Sequence, residues 1–463
     1  MLRVAVVGSG PSGVYTAQSL LQGRAGRPDP LAVDVLDRLP CPYGLVRYGV
    51  APDHEKIKSL QTSLRGVLEQ PGVRFVGNVP VGPGGVSAAE LGALYHAVVY
   101  CVGAASDRRL GIPGEDLAGS RSATDFVSWY SAHPDAGGAA FPLAARSVVV
   151  IGVGNVAVDV ARILARGAEE LRSTDIPQGT LEALAASAVR EVHVVGRRGP
   201  AQAKFTTKEL RELGSLPGTR VVVREEELAA DPAWADPSGL PGVARRNVAA
   251  LGAWAGEAER ADGPGRADGK RAGEGRAIRL RFFLRPVEIL GDAAGAVRGV
   301  RFERTAPDGA GGVRGTGELL DIEAQLVLRS VGYRGVPVPG LPFEPGGGTV
   351  PHDRGRVLRE GVPVPGAYVA GWIKRGPTGV IGTNRPCAKE TAEALLTDLP
   401  ALARRPVTGR DPLLALREAG LSPVEWPGWL GIEAAEAALG RSLSRGTVKI
   451  ADWDGLLAAA RGA

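Results

Sequence analysis

Two adjacent arginines follow a predicted buried strand in the stretch VVGRRGP, residues 194–200. Arginine is rarely buried without an anionic partner, and its planar guanidinium fork suits paired hydrogen bonds to phosphate. Arg197 and Arg198 therefore predict a phosphate site where this strand ends. The alternative is an exposed pair that binds nothing.

A glycine motif near the start of the chain predicts a dinucleotide site. The sequence GSGPSG places Gly8, Gly10 and Gly13 between an apolar strand and a helix. In this pattern the first glycine forms the tight turn, the second lets a pyrophosphate approach the backbone, and the third lets the helix pack on the strand. The helix N-terminus adds a favourable dipole. Asp37, 24 residues beyond Gly13, is the carboxylate expected to hold a ribose; Asp34 competes but lies inside the strand.

A second glycine motif, GVGNVA, places Gly152, Gly154 and Ala157 in the same pattern. Asn155 stands where a polar side chain can face a pyrophosphate or a nicotinamide. The strand that follows ends in the two arginines rather than in an acid, and arginine at this point pairs with the 2′-phosphate of NADP. The first site is therefore expected to bind FAD or NAD, and the second NADPH.

Such turns require parallel strands joined by crossover helices. Strand, glycine turn and helix alternate along the chain, which predicts an α/β fold with two Rossmann-like dinucleotide-binding domains of the glutathione-reductase type. Residues 253–277 are rich in Gly, Ala, Arg and Glu and predict a mobile surface excursion. The tail from about residue 400 is predicted to be partly helical, without a chemical role.

Composition narrows the function classes. The chain has 463 residues, enough for two domains, and its three cysteines (Cys41, Cys101 and Cys387) form no CxxC pair. That spacing argues against a redox dithiol, a zinc ribbon and a cysteine-ligated iron–sulfur cluster, and favours a cytoplasmic location. No apolar run approaches the ~18 residues of a membrane span, and no signal peptide is expected. The net charge of +5 either favours an acidic partner or serves solubility alone; no nucleic-acid partner and no membrane insertion are predicted.

Four long motifs then resemble the adrenodoxin-reductase type of ferredoxin–NADP reductase, most closely its actinobacterial members. They are GLVRYGVAPDHEKIKSL (44–60), VVIGVGNVAVDVARIL (149–164), VVGRRGPAQAKFTTKELREL (194–213) and GWIKRGPTGVIGTN (371–384). The resemblance extends from residue 1 to about 395 and implies an FAD enzyme that passes electrons from NADPH to an iron–sulfur protein. It also implies a discontinuous FAD domain (1–108 and 335–463) with an NADP domain (109–334) inserted in it.

The resemblance also assigns site residues. It implies FAD contacts at Gly8, Gly10, Pro11, Ser12, Gly13, Asp37, Leu45, Val81, Trp372, Gly379, Val380 and Ile381. It implies NADP contacts at Gly154, Asn155, Val156, Arg197, Arg198, Glu209 and Gly379. His54 and Glu212 are expected near the nicotinamide and the flavin; a structural histidine and a solvated helix face are the alternatives. Lys204 departs from the usual apolar or small residue of the family.

The implied partner is an acidic ferredoxin-like iron–sulfur protein. Arg245 and Arg246 are the expected docking residues, although they could equally form a solvated helix face. Competing functions are an FAD- and NADPH-dependent monooxygenase, the electron-input subunit of a larger flavoprotein complex, and a nucleotide-binding regulator without catalysis. A flavin disulfide reductase would need a cysteine pair that the sequence lacks.

Overall fold

The chain folds into two compact units in the computed structural model, which describes residues 2–24, 31–139, 141–262 and 275–462. Unit 1 comprises Met1–Arg108, Ser131–Gly137 and Gly332–Ala463, and unit 2 comprises Arg109–Tyr130 and Gly138–Val331. These bounds differ from the predicted domains at two places. Residues 131–137 belong to unit 1, and the chain returns to unit 1 at residue 332 rather than 335.

Unit 1 is organised around an eight-stranded sheet whose five central strands are parallel. In spatial order these are Val362–Val369, Ala97–Tyr100, Leu2–Val7, Leu31–Leu36 and Val73–Gly77. Antiparallel strands complete the two edges: His352–Asp353 and Arg356–Arg359 at one, Val424–Glu425 at the other. The three innermost strands, Ala97–Tyr100, Leu2–Val7 and Leu31–Leu36, are buried on both faces along almost their whole length, which explains their nearly continuous apolar sequence.

Helices cover both faces of this sheet. The helix after the first strand packs along the one that follows the GWIKRGPTG motif. The helices of unit 1 are Pro11–Arg24, Leu45–Tyr48, Glu55–Lys58, Leu60–Leu68, Ala88–Leu94, Trp372–Arg375, Asn384–Leu402, Pro412–Glu418, Trp426–Ser442 and Trp453–Arg461, with 3-10 turns at Pro134–Ala136 and Ile381–Thr383. A small ribbon pairs Ser106–Asp107 with Tyr333–Arg334.

Unit 2 contains a six-stranded sheet in which every strand is parallel to its neighbours. The spatial order is Ser120–Ser122, Leu326–Arg329, Ser147–Ile151, Glu191–Val195, Arg276–Arg281 and Thr219–Val223. Its helices are Ala123–Tyr130, Asn155–Ala165, Ala168–Leu171, Gln178–Ala185, Thr207–Gly214, Glu225–Ala229, Pro232–Ala235 and Gly242–Asp262, with 3-10 turns at Pro200–Gln202 and Pro237–Gly239. The predicted α/β fold with parallel, helix-covered sheets is confirmed, with antiparallel strands added only at the edges of the sheet in unit 1.

A three-stranded antiparallel sheet, which the sequence reasoning missed, also belongs to unit 2. Its strands are Leu284–Gly291, Val297–Pro307 and Val313–Glu323. Its buried side chains, such as Leu284 and Phe302, share a hydrophobic cluster with Val195 of the parallel sheet. This apolar contact seats the small sheet beside the strand that ends in the two arginines.

The prediction of a mobile surface excursion over residues 253–277 is wrong for its first part. Residues up to Asp262 continue a long helix because Leu251 and Ala255 are buried and the indole of Trp254 lies close against Gly214. The end of the segment enters the strand Arg276–Arg281. Residues 263–274 lie outside the described part of the chain. No helix within the described residues is long and apolar enough to cross a membrane.

Candidate cofactor sites

The first glycine turn of unit 1 is shaped by close backbone contacts. The Gly8 N–H donates to the Leu36 carbonyl at 2.7 Å, and Gly8 has a φ of +109°. A Cβ on Gly8 would lie 2.5 Å from the Cys101 carbonyl oxygen, and one on Gly13 would lie 1.8 Å from the Gly8 carbonyl oxygen. Packing within the protein therefore requires glycine at both positions.

Gly10 is different, because its surroundings in the protein are open. The nearest atom to a Cβ built there is the Gly44 Cα, at 3.7 Å. The helix Pro11–Arg24 begins directly after Gly10 and has no acidic residue in its first turn. Its free N–H groups and positive dipole end favour an anion. The space over Gly10 can thus accept a pyrophosphate.

Asp37 is held in place at the end of the second strand. Its Oδ2 accepts hydrogen bonds from the Ser9 N–H (2.8 Å) and the Ser9 hydroxyl, and its Oδ1 accepts one from the Leu39 N–H (2.9 Å). Burial raises the pKa of the Asp37 carboxyl, and these hydrogen bonds oppose the rise. The carboxyl group retains acceptor capacity for a ribose hydroxyl.

Asp34 already has a structural role. It forms an ion pair with Arg74 (Nη2 to Oδ2, 2.8 Å) and accepts the Tyr95 hydroxyl at 2.8 Å. The Arg74 Nε also donates to Oδ1 at 2.9 Å, so both oxygens of Asp34 are engaged inside unit 1. Asp37 is the carboxylate that the glycine turn orients.

Two large apolar side chains of unit 1 are unusually exposed at positions where FAD contacts are expected: Leu45 is 42% and Val380 60% exposed. Trp372 is partly buried and stacks at a tilt on Tyr333, with ring centroids 5.4 Å apart. A Cβ on Gly379 would lie 2.6 Å from the Thr383 hydroxyl oxygen. Exposed aliphatic groups beside an anion-binding turn suit a ligand with a phosphate-bearing tail and an apolar ring.

The second glycine turn, in unit 2, repeats this arrangement. The Gly152 N–H donates to the Val195 carbonyl at 2.8 Å, and a Cβ on Gly152 would lie 2.1 Å from the Ser330 carbonyl oxygen. A Cβ on Gly154 would meet nothing within 4 Å. Gly154 precedes the helix Asn155–Ala165, whose first turn holds no acidic residue. This helix N-terminus can also accept a phosphate.

The two arginines follow the neighbouring strand. Arg197 is exposed and Arg198 half-buried, and neither guanidinium forms an ion pair in the part of the chain that the structure describes. Since the carboxyl ends of parallel strands meet at one edge of a sheet, they lie at the same edge as the second glycine turn. The Asn155 side chain accepts the Thr206 N–H at 2.8 Å, which fixes the loop leading from the arginines into the next helix.

The two expected catalytic residues belong to different units. His54, in unit 1, is buried, and its carbonyl accepts the N–H groups of Ile57 and Lys58. Glu212, in unit 2, lies 3.8 Å from the Arg162 Nε and 3.7 Å from the Lys208 Nζ. Glu212 is therefore more than part of a solvated helix face, because Arg162 is almost fully buried.

Glu209 lies in the first turn of the same helix, where its N–H donates to the Thr206 hydroxyl at 3.5 Å. The other expected contacts occupy the turns already described: Pro11 and Ser12 in the first turn of Pro11–Arg24, Val156 in that of Asn155–Ala165, and Ile381 in the 3-10 turn Ile381–Thr383. Val81 is partly buried and forms an isolated bridge with Val86. All the expected FAD contacts therefore lie in unit 1, and the expected NADP contacts lie in unit 2 except Gly379, which lies in unit 1.

Comparisons with known proteins agree with this arrangement. Residues 2–213 match the family model described as pyridine nucleotide-disulphide oxidoreductase. The NADPH-ferredoxin reductase FprA of Mycobacterium tuberculosis is 44% identical over 474 residues, covering 98% of each chain. The chain belongs to the NADPH-ferredoxin reductase family. The resemblance drawn from the four motifs is confirmed.

Other members of the NADPH-ferredoxin reductase family extend the comparison. The mitochondrial NADPH:adrenodoxin oxidoreductase of Arabidopsis thaliana is 39% identical, covering 99% of this chain and 95% of the relative. The solved structure of Mycobacterium tuberculosis FprA in complex with NADPH matches over the full length of both chains, with a TM-score of 0.89 and 42% identity. The relatives' names describe reductases that use NADPH.

Sequence reasoning missed three residues that position the expected site residues: Ser9, Arg162 and Thr206. Ser9 fixes Asp37 from a variable position of the glycine motif, so the motif alone gives no signal for it. Arg162, paired with Asp159 at 2.9 Å, could have been suspected from the spacing of these two residues on one helix. Thr206 caps the N-terminus of the helix that contains Glu209. Serine and threonine are preferred at such N-terminal capping positions, so the sequence held a signal for it.

Proposed function

We propose that this chain is a ferredoxin–NADP⁺ reductase that binds FAD and passes electrons from NADPH to a small ferredoxin-type iron–sulfur protein. The observation that carries the proposal is the contrast between the two strand ends. One presents the oriented carboxylate of Asp37, and the other presents Arg197 and Arg198 without an acidic partner among the described residues. A carboxylate suits a ribose hydroxyl, whereas arginine suits the 2′-phosphate that distinguishes NADPH from NADH.

Unit 1 would hold FAD. The turn from Gly8 to Gly13 would bind the pyrophosphate through the helix N-terminus, and Asp37 would accept a ribose hydroxyl. Leu45 and Val380 would lose their exposure against the ring system, together with Val81, Trp372, Gly379 and Ile381. When bound, FAD takes up two electrons from NADPH and releases them singly to a one-electron acceptor.

Unit 2 would hold NADPH. The N-terminus of the helix Asn155–Ala165, with Gly154, Asn155 and Val156, would bind the pyrophosphate. Arg197 and Arg198 would bind the 2′-phosphate. Glu209 would contact the cofactor from the first turn of the next helix.

His54 and Glu212 are proposed to act on the hydride step by fixing the polarity, and in part the protonation, around the nicotinamide. The substitutions His54→Gln and Glu212→Gln keep size while removing the titrating groups. Arg162 retains Asp159 as an acidic partner after Glu212→Gln, so unit 2 should keep its fold. Stopped-flow reduction of the bound flavin by NADPH should slow in both variants with FAD content unchanged, and unchanged rates in both would remove the assignment.

The surface proposed for the iron–sulfur partner is the exposed face of the helix Gly242–Asp262. Arg246 and Arg211 line an open cavity of about 510 Å³ beside Trp254, and no acidic side chain among the described residues lines it. Arg245 is exposed next to it. Two arginines over an apolar floor suit an acidic protein surface that carries an apolar residue.

Charge reversal tests this docking surface. The double variant Arg245→Glu/Arg246→Glu should slow ferredoxin-mediated cytochrome c reduction and flatten its dependence on ionic strength. Reduction of ferricyanide, a small acceptor, should remain unchanged in the double variant. The control Arg314→Glu changes an exposed arginine of the three-stranded sheet and should leave both cytochrome c reduction and ferricyanide reduction unchanged. Unaltered ferredoxin-mediated reduction in the double variant would place the docking surface elsewhere.

The whole proposal is tested by the spectrum of the purified protein and its choice of acceptor. Flavin absorption bands and NADPH-dependent reduction of a ferredoxin are expected. A protein without flavin would support the nucleotide-binding regulator, and NADPH oxidation that depends on dioxygen and a small organic substrate would support the monooxygenase. The cytoplasmic location stays a prediction that cell fractionation tests.

A further inference from the structure

The backbone that carries the two arginines is fixed by the turn leading into the three-stranded sheet. The Gly196 N–H donates to the Arg281 carbonyl at 2.8 Å, and the Gly196 carbonyl accepts the Leu284 N–H at 3.0 Å. The Arg198 carbonyl accepts the Phe283 N–H at 3.2 Å. Phe283 adopts a φ of +57°, a conformation that phenylalanine rarely takes. The turn therefore holds the loop that carries Arg197 and Arg198 (the arginine loop), although Phe283 has a strained backbone conformation.

A side chain adds a further hydrogen bond to the arginine loop. The Thr305 hydroxyl donates to the Arg197 carbonyl at 2.8 Å, and the Thr305 N–H donates to the Phe283 carbonyl at 2.9 Å. Thr305 is only 6% exposed and lies on the strand Val297–Pro307. Thr305 therefore bonds to the arginine loop at Arg197 and to the strained turn at Phe283.

The Thr305 hydroxyl bond has a consequence for ligand binding. Arg197 is exposed and has no acidic partner among the described residues, so no ion pair with them orients its guanidinium. Fixing the Arg197 backbone leaves only side-chain rotamers to be ordered when an anion binds, which lowers the entropic cost of binding. Loss of the bond would also leave a part-buried carbonyl without this donor.

We infer that Thr305 is a positioning residue that holds Arg197 ready for a 2′-phosphate and so contributes to the selectivity for NADPH over NADH. This inference rests on the proposed role of the two arginines. It adds a residue more than a hundred positions away in the sequence, on a sheet that contributes none of the expected cofactor contacts.

The test uses two fragments that differ only in the phosphate. The dissociation constants of 2′,5′-ADP and 5′-AMP are measured by calorimetry on the FAD-loaded protein and on two variants. Thr305→Val keeps the shape but removes the donor, and should raise the Kd of 2′,5′-ADP roughly fivefold, the effect of one hydrogen bond. The Kd of 5′-AMP should stay within about twofold. Thr305→Ser retains the hydroxyl and should restore the wild-type ratio.

Steady-state kinetics supply the second measurement. KM for NADPH should rise in Thr305→Val with kcat unchanged, because the bond acts on binding rather than on the hydride step. An equal loss for both fragments, or an unchanged ratio with only a lower melting temperature, would show that Thr305 is merely structural and overturn the inference. The proposed function fails separately, if neutral residues at Arg197 and Arg198 leave the preference for 2′,5′-ADP intact.

Discussion

Neutral replacement of the two arginines is the most direct test of cofactor choice. In the double variant Arg197→Gln/Arg198→Gln, the two side chains stay polar but become shorter and lose both charges. Hydrogen bonds from charged groups contribute about 1.5–3 kcal/mol when shielded, and exposed ion pairs contribute about 1 kcal/mol or less. Arg197 is exposed and Arg198 half-buried. The pair should therefore contribute about 2–4 kcal/mol to NADPH binding, or roughly 30-fold to several hundredfold in affinity.

The assay compares kcat/KM for NADPH and NADH with ferricyanide as the acceptor, so that partner docking plays no part. We expect kcat/KM for NADPH to fall roughly 30-fold to several hundredfold. We expect kcat/KM for NADH to fall by less than about threefold, because NADH has no 2′-phosphate. The dependence of the NADPH reaction on salt should weaken in the same variant. Arg314→Gln, an exposed arginine of the three-stranded sheet, is the matched control and should alter neither value.

Two outcomes would refute this reasoning. Equal losses for NADPH and NADH would mean that the arginines contact a group common to both cofactors, such as the pyrophosphate. A large drop in melting temperature would mean that they stabilise unit 2, although neither forms an ion pair within the described residues. The expected melting temperature is close to that of the wild type.

Three further predictions concern unit 1 and the buried strand of unit 2. Gly10→Ala should lose FAD while the apoprotein melts normally, because the added methyl group meets only the Gly44 Cα; a fully retained flavin would contradict this. Glu436→Gln should destabilise the protein by about 3–5 kcal/mol in denaturant unfolding, since it removes the negative charge that lies 2.6 Å from the buried Arg47 guanidinium, and wild-type stability would disprove it. Burial lowers the pKa of His193 to about 4, so the folded state keeps this imidazole neutral while the unfolded chain binds a proton below pH ~6.5. Stability should therefore fall by about 3 kcal/mol between pH 6.5 and 4, and His193→Val should flatten that slope; an unchanged slope would assign the acid sensitivity to other groups.

Local sequence patterns were enough to predict the two glycine turns and the strands around them. Each turn depends on residues close in sequence: the Gly13 position is set by the carbonyl of Gly8, five residues earlier. The same holds for the parallel sheets, because a strand buried on both faces has a nearly continuous apolar sequence. The arginines and Asp37 follow such strands directly, and their positions could be predicted for that reason.

Features that depend on distant pairing could not be predicted. In the C-terminal tail, Glu436 pairs with Arg47 across 389 positions, and the Lys449 ammonium donates to the carbonyls of Arg47 and Ser131. No local pattern marks either partner, since each looks like an ordinary surface charge in its own helix or loop. The bond from Lys449 to Ser131 also joins the segment 131–137 to the C-terminal part of unit 1. The position of Thr305 escaped prediction for a similar reason, because its partner lies 108 positions away.

The glycines of the two motifs fall into two physical groups, and only one of them requires a ligand to explain it. At Gly8, Gly13 and Gly152 a methyl group would lie within 2.5 Å of a backbone oxygen, so the fold itself demands glycine. At Gly10 and Gly154 a methyl group would meet no non-neighbouring atom of the described residues closer than 3.7 Å, and the fold would accept alanine. A backbone kept bare where the protein leaves space, at the N-terminus of a helix without acidic residues in its first turn, fits the close approach of a phosphate. The middle glycine of each turn is therefore stronger evidence for a bound dinucleotide than the motif as a whole, because the fold alone accounts for the rest.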